Sequence, residues 1–156
     1  MFIGHIAAGV AAKKITSKLS LWILIPVAMI PDIIAIPSII FPNDNFDPVP
    51  WSHGLFMCLI LSLLVGLLTL VFLRNVRTSF LLGSLVLSHW LLDFVSWPMK
   101  GRGLPLLFTG STEIGLGLYN TTVGSILGET FGFIALVYLV ILIKKSLHPN
   151  KNLIDE

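Results

Sequence analysis

The chain has 156 residues, 55% of them hydrophobic and only 12% charged, with a mean hydropathy of +0.93. A soluble domain averages roughly 45–50% apolar and about 25% charged residues, so the composition excludes an ordinary water-soluble globule, and its hydrophobicity excludes intrinsic disorder. A net charge of +2 is too small to point to a nucleic-acid partner, and the length fits one domain, in a bilayer.

In chain order, a short apolar stretch, Phe2 to Ala12, comes first. At about 1.5 Å per residue it covers roughly 17 Å, half a membrane, so it predicts a half-helix, re-entrant or interfacial. It lacks a basic leading region and does not read as a signal peptide. Four longer apolar runs follow: Leu19–Phe41, Gly54–Leu73, Ser79–Trp97 and Val123–Ile143. Each is near the ~20 residues that span a hydrocarbon core. The predicted fold is an all-α integral membrane bundle of four transmembrane helices plus the N-terminal half-helix. One domain occupies residues 1–145, followed by a polar tail over 146–156.

The basic residues orient the bundle. Lys13, Lys14, Lys18, Arg74, Arg77, Lys144, Lys145 and Lys151 fall on one side, and only Lys100 and Arg102 on the other. The positive-inside rule makes the first side cytoplasmic and turns loops 42–53 and 98–122 outward. Those loops are unusual linkers: Asn43 to Pro48 is acidic and turn-rich, and Gly101 to Gly117 carries five glycines. The single Cys58 excludes a disulfide framework and a thiolate zinc site, and reads as a small buried hydrophobe.

The chemistry lies in polar residues within or beside the apolar runs: His5, Asp32, His53, His89, Asp93 and Glu129. Ionisable groups at membrane depth are costly unless paired or hydrated, which makes each a functional candidate. His89 and Asp93, in Ser88-His89-Trp90-Leu91-Leu92-Asp93, are four apart and share a helix face. They suit two ligands of one metal, or a local His–Asp hydrogen bond. Asp32 follows Pro31, whose ring can break the helix; it is either a cavity ligand or a cap of the next segment. His53, in Pro50-Trp51-Ser52-His53-Gly54, reads as a ligand or an interfacial residue, with Ser52 as N-cap. His5 reads as a ligand or a satisfied packing histidine. Glu129, between Gly128 and Gly132, fits a helix-packing contact as well as a site. His148, in the tail, is inert.

Three histidines and two aspartates make a mixed nitrogen and oxygen donor set that suits zinc, with manganese as the alternative. Without cysteine it fits an open or dinuclear site better than a closed structural one, and an open site activates water for hydrolysis. Counting from the cytoplasmic ends puts His5 roughly 12 Å deep, Asp32 and His89 roughly 18 Å, and Asp93 near 23 Å. His53, at the outer end, fits only if its helix starts below the surface.

At these residues the chain resembles the multi-pass bacterial membrane-bound metal-dependent hydrolases, also described as LexA-binding, inner-membrane-associated hydrolases. Gly4-His5, Pro31-Asp32, Pro50-Trp51-Ser52-His53 and Leu87-Ser88-His89-Trp90-Leu91-Leu92-Asp93-Phe94 carry the resemblance, and Gly115-Leu116-Gly117-Leu118-Tyr119-Asn120 and Glu129 extend it to a branch of small members. It departs near Pro48, and at Ser96 and Trp97, where many relatives carry a further histidine. The resemblance implies metal ligation by His5, Asp32, His53, His89 and Asp93, with Asp32 and Asp93 as catalytic carboxylates. It also implies a metal-dependent hydrolase; the leading reading is hydrolysis of a lipid-like or phosphoester substrate, with membrane lipid as partner. The other function class that buried His and Asp allow is a non-enzymatic metal or proton carrier, or a scaffold.

Topology is directly testable. Reporter fusions after Leu73 and after Ile143 are both expected to read cytoplasmic; a periplasmic reading at either point contradicts the orientation.

Overall fold

The computed structural model describes residues 2–16, 18–41, 48–98, 103–107 and 112–147. The acidic loop over 43–47, Lys100, Arg102, His148 and the tail beyond 147 lie outside them. Seven α-helices are present among the described residues: α1 (Phe2–Ile15), α2 (Leu21–Ala28), α3 (Ile30–Ile40), α4 (Pro48–His53), α5 (Leu55–Leu73), α6 (Val76–Ser96) and α7 (Thr122–Leu147). A two-residue antiparallel pair, β1 (Leu104–Pro105) with β2 (Glu113–Ile114), and a 3-10 turn over Leu118–Asn120 join α6 to α7.

Three of these helices are long and apolar enough to cross a membrane, at Leu55–Leu73, Val76–Ser96 and Thr122–Lys145. The expected fourth span does not form as one helix. The run Leu19–Phe41 divides at Met29 (φ −106°, ψ 11°) into α2, of 8 residues, and α3, of 11. Their lengths, roughly 12 Å and 16 Å, fall short of a hydrocarbon core of about 30 Å. Proline is the physical reason. Pro31 sits in the first turn of α3, where its missing N–H costs nothing; carried on from α2, the helix would set its ring against the Val27 carbonyl four residues back and leave that carbonyl without a donor.

The N-terminal half-helix is α1, 14 residues and about 21 Å long. It packs within the bundle against α7, α2 and α6, burying Gly4, His5, Ala7, Gly9, Val10 and Ala12. Ala12, Leu24, Ala28, Leu82 and Leu85 form the shared core of α1, α2 and α6. Small residues set the spacing. A Cβ on Gly9 would lie 2.8 Å from the Ile25 Cα, and one on Gly83 would lie 2.9 Å from the Ser62 carbonyl oxygen. Close backbone approach of this kind is how helices gain contact where lipid offers no hydrophobic drive. The outward faces of α5 and α7 stay apolar and exposed, as at Leu63, Phe72 and Phe131.

The glycine-rich segment after α6 folds onto the bundle. Gly103 donates its N–H to Glu113 Oε2 at 2.8 Å, Phe56 N–H reaches Leu106 O at 3.3 Å, and Leu116 N–H reaches Phe94 O at 2.8 Å. Leu104 is fully buried, and the pair covers the turn at Gly54, whose Cβ position lies 3.2 Å from the Pro105 carbonyl oxygen.

Gly83→Ala is expected to destabilise the purified protein by about 1–3 kcal/mol through the clash with Ser62. Gly66→Ala, whose Cβ would meet Ser79 O at an ordinary 3.5 Å, is expected to stay within about 0.5 kcal/mol of wild type. Thermal unfolding of the two variants in detergent makes the comparison.

Candidate metal centre

Five residues named from the sequence, on four separate helices, come together. His5 projects from α1, Asp32 from the first turn of α3, His53 from the end of α4, and His89 and Asp93 from one face of α6. They form two overlapping groups, His5–His89–Asp93 and Asp32–His53–His89; within each, the candidate ligand atoms lie within 4.8 Å of one another. All but Asp32 are buried. The Asp32 side chain is 33% exposed, so the cluster opens on the Asp32 side.

The donor atoms alternate in sign. His53 Nε2 lies 3.0 Å from Asp32 Oδ1 and 3.7 Å from Asp93 Oδ2. His89 Nε2 lies 3.7 Å from Asp32 Oδ1 and 3.2 Å from Asp93 Oδ2. Ligands about 2.0–2.1 Å from a tetrahedral zinc are separated by roughly 3.3 Å, inside this range. The second Asp93 oxygen, Oδ1, meets His5 Nε2 at 3.2 Å. The His5 ring stacks on His89, with centroids 3.7 Å apart and planes 6° from parallel, while His53 meets His89 edge-on at 5.1 Å.

The outer nitrogens of two imidazoles are held by protein oxygens. His89 Nδ1 donates to Ala28 O at 2.9 Å. A carbonyl only accepts, so the proton sits on Nδ1, and in the neutral ring Nε2 presents a lone pair. That Nε2 is buried without a hydrogen-bond partner among the described residues, and its nearest charged neighbours are two carboxylates. A lone pair facing carboxylate oxygens is repulsive unless a proton or a cation lies between them. His53 Nδ1 contacts Ser52 Oγ at 2.7 Å. This is the usual arrangement of ligating histidines, one nitrogen toward the ion and the other anchored. The donor set, the spacing and the unsatisfied His89 Nε2 together fit a divalent cation, whose charge would match that of the two carboxylates.

Several readings of single residues resolve. Asp32 makes no cap hydrogen bond at α3, whose N-cap is Met29; it binds His53 instead. Asp93 serves His5 as well as His89, so the pair is more than a local i,i+4 contact. Ser52 does not cap α5, whose N-cap is Gly54. His53 instead ends a separate short helix that packs on α3, so it reaches the cluster without being part of α5. Ser96 turns back to its own helix, Oγ to Leu92 O at 2.9 Å, and adds no ligand. Cys58 is fully buried, with Sγ 3.6 Å from Ser52 O. Glu129 stands apart from the cluster and accepts the Phe2 and Ile3 N–H groups at the start of α1.

Sequence reasoning missed the anchors. The adjacent Ser52-His53 was a usable signal for one of them. The Ala28 carbonyl was legible only as a consequence of the break at Met29, since the last carbonyls of a helix lack intrahelical partners.

No family model, curated protein or solved structure matches the chain.

Ser52→Ala removes the anchor of His53 and leaves its Nε2 in place. Zinc affinity is expected to fall about 10–100-fold in chelator competition, with the protein still folded; unchanged affinity would separate Ser52 from the site.

Proposed function

We propose that this chain is a multi-pass inner-membrane protein, C-terminus cytoplasmic, that binds a divalent metal in the His/Asp cluster. We propose zinc, with manganese as the alternative, and hydrolysis of a lipid-like or phosphoester substrate in the outer half of the bilayer. The observation that carries the reading is the alternation of His53 Nε2 and His89 Nε2 with Asp32 Oδ1 and Asp93 Oδ2 at 3.0–3.7 Å, at membrane depth where unpaired charge is otherwise excluded. The resemblance to the membrane-bound metal-dependent hydrolases supplies the reaction class.

His53, His89 and Asp93 hold the ion in this scheme, and His5 orients Asp93 through its second oxygen. A bound divalent metal supplies Lewis acidity to the reacting oxygen. Asp32 is the carboxylate that both touches the cluster and reaches its open side, which suits it to accept the proton of the attacking water. The ester bond breaks as the water oxygen adds, and the same proton passes to the departing alkoxide, so one water is consumed per bond cleaved. The apolar outer faces of α5 and α7 suit a substrate arriving from the lipid.

Metal analysis and hydrolysis assays on detergent-purified protein test the reading. Wild type is expected to carry close to one zinc or manganese per chain and to lose esterase or phosphoesterase activity in chelator. His89→Ala is expected to lose the metal while staying folded. Asp93→Asn is expected to weaken binding about 10–100-fold, and Asp32→Asn to lower turnover about 10²–10⁴-fold with metal retained. Were the cluster only a packing device, His89→Ala would precipitate and wild type would hold no metal. Metal without hydrolysis would favour a carrier.

A further inference from the structure

We propose that Glu129, steadied by Tyr119, is a positioning residue that fixes the register of α1 and thereby seats His5 in the metal centre. The inference rests on the metal-centre reading above and adds a residue that touches none of the five cluster side chains.

The first N–H groups of a helix have no intrahelical acceptor. In α1 a single carboxylate from α7 supplies two. Phe2 N–H donates to Glu129 Oε1 at 2.9 Å and Ile3 N–H to Oε2 at 3.0 Å. One oxygen per amide fixes both the height and the rotation of the helix start, and the negative charge matches the positive end of the helix dipole. The Tyr119 hydroxyl donates to Oε1 at 2.7 Å. Burial and the carboxylate itself push the Tyr119 phenol above its ordinary value, so it keeps the proton it donates at neutral pH.

Two glycines flank the carboxylate and shape its seat. A Cβ on Gly128 would lie 2.6 Å from Tyr119 Cε1, and one on Gly132 would lie 3.1 Å from the Gly4 backbone nitrogen. Gly128 admits the ring that orders Glu129, and Gly132 admits the α1 backbone beside His5. His5 follows the second clamped amide by two residues. A slip of one residue at the start of α1 would turn it by about 100° and shift it about 1.5 Å. That would break both the 3.2 Å contact to Asp93 Oδ1 and the 3.7 Å stack on His89.

The test is a double-mutant cycle read by zinc affinity. Full-length protein with a C-terminal tag is titrated with zinc against a chelating dye, for wild type, Glu129→Ala, Glu129→Gln and Tyr119→Phe, each alone and combined with His5→Ala. Glu129→Ala is expected to weaken zinc binding about 10–100-fold. Glu129→Gln, which keeps one amide acceptor, and Tyr119→Phe should show smaller losses. In the His5→Ala background Glu129→Ala should cost nothing more, because its effect passes through His5. An equal loss in both backgrounds, or wild-type affinity in folded Glu129 variants, overturns the inference while leaving the metal centre standing. Wild type that takes up no zinc overturns both. If Glu129→Ala does not fold, Glu129→Gln and Tyr119→Phe complete the same cycle.

Discussion

Two carboxylates and three imidazoles packed into an apolar helical bundle, all but Asp32 buried, must find their partners within the protein, and the rest of the architecture follows from satisfying them. An isolated ionised group in such surroundings is costly. In this chain each shares its partners: Asp93 faces His5, His53 and His89, and Asp32 faces His53 and His89. Four helices must therefore converge at one depth, and none of the four can slide without leaving a charge alone.

Helix interruptions make that convergence possible. The break at Met29 lifts Asp32 onto the start of α3 and exposes the Ala28 carbonyl that orients His89. The turn at Gly54 ends the short α4 at His53 before α5 begins. Irregular backbone in an apolar bundle is tolerated where protein or a cavity receives its polar groups, and both breaks here face the cluster. The β1–β2 segment covers the turn at Gly54 from the other side, leaving Asp32 as the exposed edge of the centre.

The same logic reaches α1, too short to span a membrane. It gains its place from burial between α2, α6 and α7, from the close approaches at Gly9 and Gly132, and from the Glu129 carboxylate at its start. A helix held at its N-terminus by a charge, and along its length by backbone contact, can carry His5 with little freedom to misplace it.

Composition and residue spacing alone determined that the chain is apolar, helical and suited to a bilayer. The cost of ionisable groups there picked out His5, Asp32, His53, His89 and Asp93, because a charge in an apolar run is visible without coordinates. The i,i+4 spacing of His89 and Asp93 and the break beside Pro31 were legible for the same local reason. Tertiary structure alone decided the rest. It fixed the division of Leu19–Phe41 at Met29 into two helices each too short to span, since run length alone does not place a break. It carried His53 to the cluster by way of α4, which counting along a single helix does not foresee. It paired Glu129 with amides 126 and 127 positions away; hydrogen bonds over such separations depend on which helices pack together, and no local pattern encodes that.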